Sequence, residues 1–368
     1  MTADTEPEKK QGGDDVADLK TAATATVTEG DRQAPTTDES ALQAEDDAAS
    51  STASINSSIM AYRTENGRTY HAFRESSMLI SLIASMSLTF TVNYVLPNDS
   101  SEQERLDLQH HLFTLTLGGK LYLSPIGDDK PLSRALDAGT GTGVWAIDFA
   151  DAHPETQVIG IDLSPIQPNF LPTNLQFQVD DLEDEWTFSY NFDFIFARMM
   201  TGSIGDFPKF FTQSFNALSP GGWVECQDIT FPAQCDDDTL KKDSYIDQWS
   251  NLMIEATNKF GRTAESAKFY KQQMIDAGFV NVTEVVYKWP TNRWPADPYY
   301  KELGFWCNHN IAGELSGLSM VLFTRGLGWS PEEVEVFLAK VRTDMKDRRI
   351  HAWWPIHVVY GQKPEAQV

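Results

Sequence analysis

The chain has 368 residues, 41% of them hydrophobic and 11% aromatic, enough apolar material for one large domain or two modest ones. A formal charge of -24 and a pI near 4.6 argue against the clustered Lys and Arg that nucleic acid or an anionic membrane demands; the longest basic clusters are mere pairs, Lys241-Lys242 and Arg348-Arg349 among them. Cys226, Cys235 and Cys307 share no metal-ligand spacing and cannot all pair, so the expectation is a reducing compartment, cytoplasmic or nuclear, and no bound metal.

Met1 to Lys10 contains no apolar run, and no secretory leader is expected there. Residues 1–58 hold no Phe, Trp or Tyr and set thirteen acidic residues against four basic ones. Such a stretch cannot bury enough apolar area to offset its ordering entropy and is expected to be a disordered acidic tail. Residues 59–131 form an N-terminal lid and helical extension. Within it Tyr62 to Phe73 is polar and aromatic, and Met78 to Val92 is apolar but rich in Ser and Thr. That run falls short of the roughly 20 apolar residues of a membrane span, so no membrane is expected. Ser101 to Leu117 is a helix, with Ser101 as N-cap, Glu104 as its capping-box partner and Gly118-Gly119 as the stop.

The remainder, 132–368, alternates strands and helices. Strands are expected at 134–137, 157–162, 175–179, 192–197 and 223–228, with helices at 144–152 and 207–218. The run 192–197 is nearly all apolar, as a strand covered on both faces requires. The pattern implies an α/β fold with a doubly wound parallel sheet. Helical patterns at 244–260 and 264–277, a strand at 282–289, a helical cap at about 290–352 and a last strand at 356–360 complete it.

Chemistry concentrates at the first βα turn, Asp137-Ala138-Gly139-Thr140-Gly141-Thr142-Gly143. Three alternating glycines exceed what a tight turn needs and let backbone approach a ligand. Asp162 ends the next strand, where an acid accepts hydrogen bonds from the hydroxyls of an adenosine ribose; the competing role is to cap the turn at Ser164-Pro165. Asp180 and Asp181 end the third strand at the same sheet edge and can meet the adenine amino group, unless they simply form a solvated acidic loop with Glu183, Asp184 and Glu185. A pyrophosphate beside four carboxylates would be repelled, and the loop has no Lys or Arg. S-adenosyl-L-methionine carries a sulfonium, an ammonium, one carboxylate and no phosphate. It fits where NAD does not.

Leu136 to Trp145, Val158 to Pro165 and Leu218 to Trp223 resemble class I S-adenosylmethionine-dependent methyltransferases. More narrowly, Tyr62 to His71, Leu96 to Asp99, Arg105 to His111 and Val359 to Pro364 resemble the LaeA-like fungal methyltransferases. The resemblance spans about 62–364. It implies a Rossmann-like seven-stranded sheet with its last strand antiparallel, and links to secondary metabolism as regulators or as members of biosynthetic clusters. It also implies a cofactor site made of Asp137, Gly139, Thr140, Gly141, Gly143, Asp162, Leu163, Asp180, Asp181 and Leu182, the last through its backbone N–H. Tyr70 is then a lid candidate. The sequence departs from the family at Met78 to Asn93, uncharged residues where relatives pass almost directly from His71-Ala72-Phe73 to Tyr94. Two hypotheses cover them: a translated retained intron, or a genuine extra lid helix. Sequencing cDNA decides, since transcripts that uniformly keep these codons rule out the intron.

Methyl transfer from a sulfonium chiefly needs alignment, worth about 7–11 kcal/mol at best. A base helps only for a hydroxyl or amine acceptor. His71, beside Tyr70, is the first candidate, followed by His110 and His111 on the helix; Arg198 is expected near the acceptor or paired with the acidic loop. Trp289, Trp294, Trp306, Trp329, Trp353 and Trp354 would cap an apolar acceptor pocket or serve as ordinary core. The acceptor is a small natural-product intermediate or a protein, including the chain itself. The competing function is a regulatory interaction protein that keeps the cofactor fold and acts through a protein partner.

Overall fold

The computed structural model describes residues 62–71, 94–127 and 131–366. The tail at 1–58 and the insert at 78–93 lie outside these residues.

Ahead of its helix the N-terminal extension carries a hairpin, β1 (Arg63–Glu65) and β2 (Arg68–Tyr70), paired antiparallel. Asn66 and Gly67 at its tip both have positive φ, the requirement of a two-residue hairpin turn. Helix α1 (Ser100–Thr116) starts one residue earlier than expected, because its N-cap is Asp99 rather than Ser101. The Asp99 carboxylate accepts the Glu102 N–H at 3.1 Å and also pairs with Arg68, tying hairpin to helix, whereas the Ser101 hydroxyl donates to Glu314. The α/β domain continues with β3 (Arg134–Ala138), α2 (Val144–Ala152), β4 (Gln157–Asp162), β5 (Leu175–Val179), β6 (Phe192–Arg198), α3 (Phe207–Ala217) and β7 (Leu218–Ile229). The two-residue strand β8 (Gln234–Cys235), unforeseen, precedes α4 (Tyr245–Lys259). The helix expected over 264–277 divides into a 3-10 turn, Ser266–Phe269, and α5 (Tyr270–Asp276). Then come β9 (Val280–Pro290), the cap helices α6 (Pro298–Ala312), α7 (Leu315–Val321) and α8 (Pro331–Lys346), and β10 (Ala352–Gln362).

Strand order is β5-β4-β3-β6-β7-β10, with β9 on the far edge of β10 and β8 pairing the start of β10. The strands from β3 to β7 run parallel, and β10 is antiparallel to both β7 and β9. Seven long strands with the last reversed is the sheet that the resemblance implied. Burial explains the run 192–197: Phe192, Phe194, Ile195 and Phe196 of β6 are wholly buried between helices. Helix α3 is capped by Asp206, has Pro208 in its first turn, and buries Phe207, Phe210, Phe211 and Ser214 at one-turn spacing. Each Phe contributes about 2–3 kcal/mol of hydrophobic stabilisation.

Strand order reverses between β3 and β6, and in an open α/β sheet a crevice forms there, at the carboxyl ends. Register keeps those ends level: Asp137 lies beside Gly160 and Phe196, and Asp162 beside Val179.

Candidate functional site

One cavity sits at that crevice, and Asp137, Gly139, Thr140, Gly141, Asp162, Leu163, Asp180, Asp181 and Leu182 all line it. The expected acids are therefore brought together. Gly143 is the exception, for it does not line the cavity. Its φ is +81°, and a Cβ there would stand 2.4 Å from the Phe177 ring, so this glycine serves the packing of the turn on β5. Gly139, at φ +79°, would drive a Cβ to 2.4 Å from the Met200 sulfur.

Asp137 is buried and accepts the Thr140 hydroxyl at 2.5 Å; loss of hydration pushes its carboxyl up to about 7. Asp162 does what a turn cap does and remains in the site as well. One of its oxygens accepts the Ser164 N–H at 2.9 Å and the other the Gly141 N–H at 2.8 Å, while burial pushes its pKa up to about 6. Asp180 is exposed, and its carboxylate accepts the Asp181 N–H; the Asp181 carboxylate accepts the Glu183 N–H.

Arg198 also lines the cavity, but not as the partner of the acidic loop. It donates to His110 Nδ1 at 3.0 Å, and His110 Nε2 lies 3.0 Å from Asp148. That pattern fixes the neutral Nε2–H tautomer, and burial followed by the Arg198 charge holds His110 down at about 4. Arg198 itself is lowered to about 10 by burial, against the opposing pull of Asp137 and Asp148. His110 is thus the support of an arginine and does not line the cavity. His111 packs edge-on against Trp306 and is likewise outside it. His71 does line the cavity, with its ring edge-on to Tyr94 at 5.9 Å. Tyr70 does not: it is wholly buried in the hydrophobic core, under the Arg63 guanidinium.

The six cap tryptophans take the ordinary role. Trp289 and Trp354 are fully buried, the others are half-buried, and none lines the cavity. Trp249 of α4 does, together with Phe231, Met253, Leu318 and Leu322. Sequence reasoning also missed Tyr94, Arg105, Gln109 and Asn310 in the wall. Glu102 and Arg105 have the i,i+3 spacing common to pairs on a helix surface, yet they are 1% and 7% exposed. Only their packing against the cap, where Arg105 reaches Asn310 at 3.0 Å, reveals them.

The cavity's other cations are already engaged. Arg105 holds Glu102, and Arg262 holds Glu183. Among the described residues, no cluster is able to hold a metal ion. Among them, no helix is long and apolar enough to cross a membrane.

A parallel sheet with a reversed last strand, a glycine turn after its first strand and acids at the ends of the next two define a class I methyltransferase. The comparisons agree. Residues 108–284 match the family described as a methyltransferase domain. Methyltransferase pytC of Aspergillus terreus is 39% identical, covering 86% of this chain and 93% of its own. Secondary metabolism regulator LAE1 of Cochliobolus heterostrophus is 34% identical over 82% of this chain and 94% of its own. Protein-methionine methyltransferase laeA of Emericella nidulans is 32% identical over 84% of this chain and 79% of its own. The chain belongs to the LaeA-like family of S-adenosylmethionine-dependent methyltransferases of fungal secondary metabolism.

Proposed function

We propose that this methyltransferase holds its cofactor at the loop end of the cavity and methylates an apolar small molecule under the cap. The observation that carries the reading is the division of the cavity wall into two chemistries. Carboxylates and bare backbone form one half; Trp249, Phe231, Met253, Leu318 and Leu322 form the other. On this reading Asp162, fixed by its backbone bonds, takes the ribose hydroxyls. Asp137, whose burial disfavours its charged form, takes the ammonium group, and a cation there restores its ionisation. Asp180, Asp181 and the Leu182 N–H surround the adenine.

S-adenosylmethionine supplies a methyl group on a sulfonium, a carbon already activated for in-line displacement. The chain's residues have to hold the acceptor in line, exclude water and, for a hydroxyl, take up one proton. His71 is the cavity-lining histidine for that last task. Tyr70 is left as a packing residue of the core. A cytoplasmic or nuclear location suits either reading; the alternative is a regulatory protein acting through a partner, favoured by the name of LAE1, while the name of laeA of Emericella nidulans favours a protein as methyl acceptor.

Incubating the full chain with methyl-labelled cofactor and fungal extract separates small-molecule from protein acceptors, and a chain that acts only through a partner adds no label to either. Label in the organic-soluble fraction supports the small-molecule reading. Label confined to protein overturns it.

A further inference from the structure

The buried face of α1 is largely polar: Glu102, Arg105, Gln109, His110 and Thr116 all point inward. A buried polar group without a partner costs roughly 1–3 kcal/mol, so each should be engaged. Glu102 and Arg105 bond each other, and Arg105 reaches on to Asn310 of α6. His110 lies between Asp148 and Arg198, and the Thr116 hydroxyl accepts the Trp289 indole N–H at 2.7 Å. Gln109 breaks the pattern. It is 3% exposed, its side-chain amide nitrogen has no hydrogen-bond partner, and it lines the cavity.

Its position on the helix says which half of the cavity it serves. Leu106 lies against Gly141 and Asp107 accepts from Thr142, so that face of α1 meets the glycine turn. Arg105 and Thr116, by contrast, reach the cap helix α6 and Trp289. Gln109 stands one turn after Arg105 and two turns before Thr116, on the stripe that faces the cap.

We propose that Gln109 orients the methyl acceptor by donating a hydrogen bond from its amide to an acceptor oxygen. The acceptor is thereby assigned to the apolar, oxygen-bearing class, with a carbonyl or hydroxyl close to the methylated atom. This rests on the reading that the cofactor occupies the loop end of the same cavity. The residue determines specificity and position; the reacting atoms need not touch it.

The test uses the full chain, S-adenosylhomocysteine as cofactor product, and 1-naphthol with naphthalene as probes that differ by one hydroxyl. Calorimetry first measures S-adenosylhomocysteine binding to wild type, Gln109→Met and Gln109→Glu; melting curves show that each variant folds. Fluorescence titration of the product-saturated proteins then compares the probes. The expected result is a product affinity within about threefold in all three proteins, and a preference for 1-naphthol of about tenfold in wild type, close to the discrimination of one hydrogen bond, that falls to about twofold in Gln109→Met. A wild type without preference for the hydroxyl overturns the proposal, as does a preference that survives in Gln109→Met. A tenfold loss of product affinity in both variants also overturns it, by placing the donor on the cofactor's carboxylate. Should S-adenosylhomocysteine fail to bind wild type at all, the cofactor reading itself fails, and that is seen before any naphthol is added.

Discussion

At Asp162 each carboxylate oxygen accepts a backbone N–H, from Gly141 on one side and Ser164 on the other, which holds the side chain in place in the cavity wall. Burial raises Asp162 to about 6 and Asp137 to about 7, above their ordinary values. The sign of the pH effect follows. Well below pH 4 both groups are protonated, folded or unfolded, and contribute no pH dependence. From about pH 4, where the unfolded carboxyls ionise, up to the folded values of about 6 and 7, the folded chain holds protons that the unfolded chain has released, so stability of the ligand-free protein falls across that window and levels off above it. Affinity for the cationic cofactor should move the other way, because its partners must be ionised. Melting curves and cofactor titrations at about pH 5, 6.5 and 8 check both trends, and parallel rather than opposed trends would count against Asp137 as the partner of the ammonium. Arg198 helps to keep Asp137 ionised. Arg198→Met should therefore shift the midpoint of pH-dependent cofactor binding upward, and an unmoved midpoint would remove Arg198 from that role.

The elements differ in how plainly the sequence announced them. The parallel strands and α2, α3 and α4 carry their signal locally, in apolar runs, caps and glycine stops, and the structure places them within a residue or two of expectation except at β7, which begins at Leu218. The hairpin β1–β2 is signalled by Asn66-Gly67 but flanked by no apolar alternation, so periodicity passes over it. Helix α1 hides more. Its inward face is polar, and nothing in the spacing of Glu102, Arg105 and Gln109 says that a cap will cover them. The third glycine was legible as a turn but not as a packing contact with β5. Gly143→Ala should lower stability by about 1–3 kcal/mol, since its backbone is left-handed and its Cβ would meet Phe177; urea melts that match wild type would contradict this. Farther along, the buried Asp228 at the end of β7 accepts the N–H groups of Met200 and Thr201 and the Tyr270 hydroxyl, and so fastens the 199–204 segment that walls the cavity. Asp228→Ala strands those donors and should cost about 3 kcal/mol or more; a variant of unchanged melting temperature would show that the segment holds itself.

For the molecule as a whole, the acidic charge argues against a nucleic-acid partner, and it narrows the cofactor, because carboxylates gathered at one sheet edge tolerate a cation and repel a pyrophosphate. The acceptor half of the cavity was not legible in the same way. Trp249, Met253, Leu318 and Leu322 come from helices distant in sequence, and which tryptophans face the cavity is settled by how the cap docks on the sheet rather than by composition. The central claim is that Asp162 and the glycine turn hold the cofactor, and calorimetric titration of S-adenosylhomocysteine into wild type and Asp162→Ala tests it most directly. The account predicts that the variant folds and binds at least about tenfold more weakly, as the loss of charge-assisted hydrogen bonds requires. Affinity equal to that of wild type would contradict it.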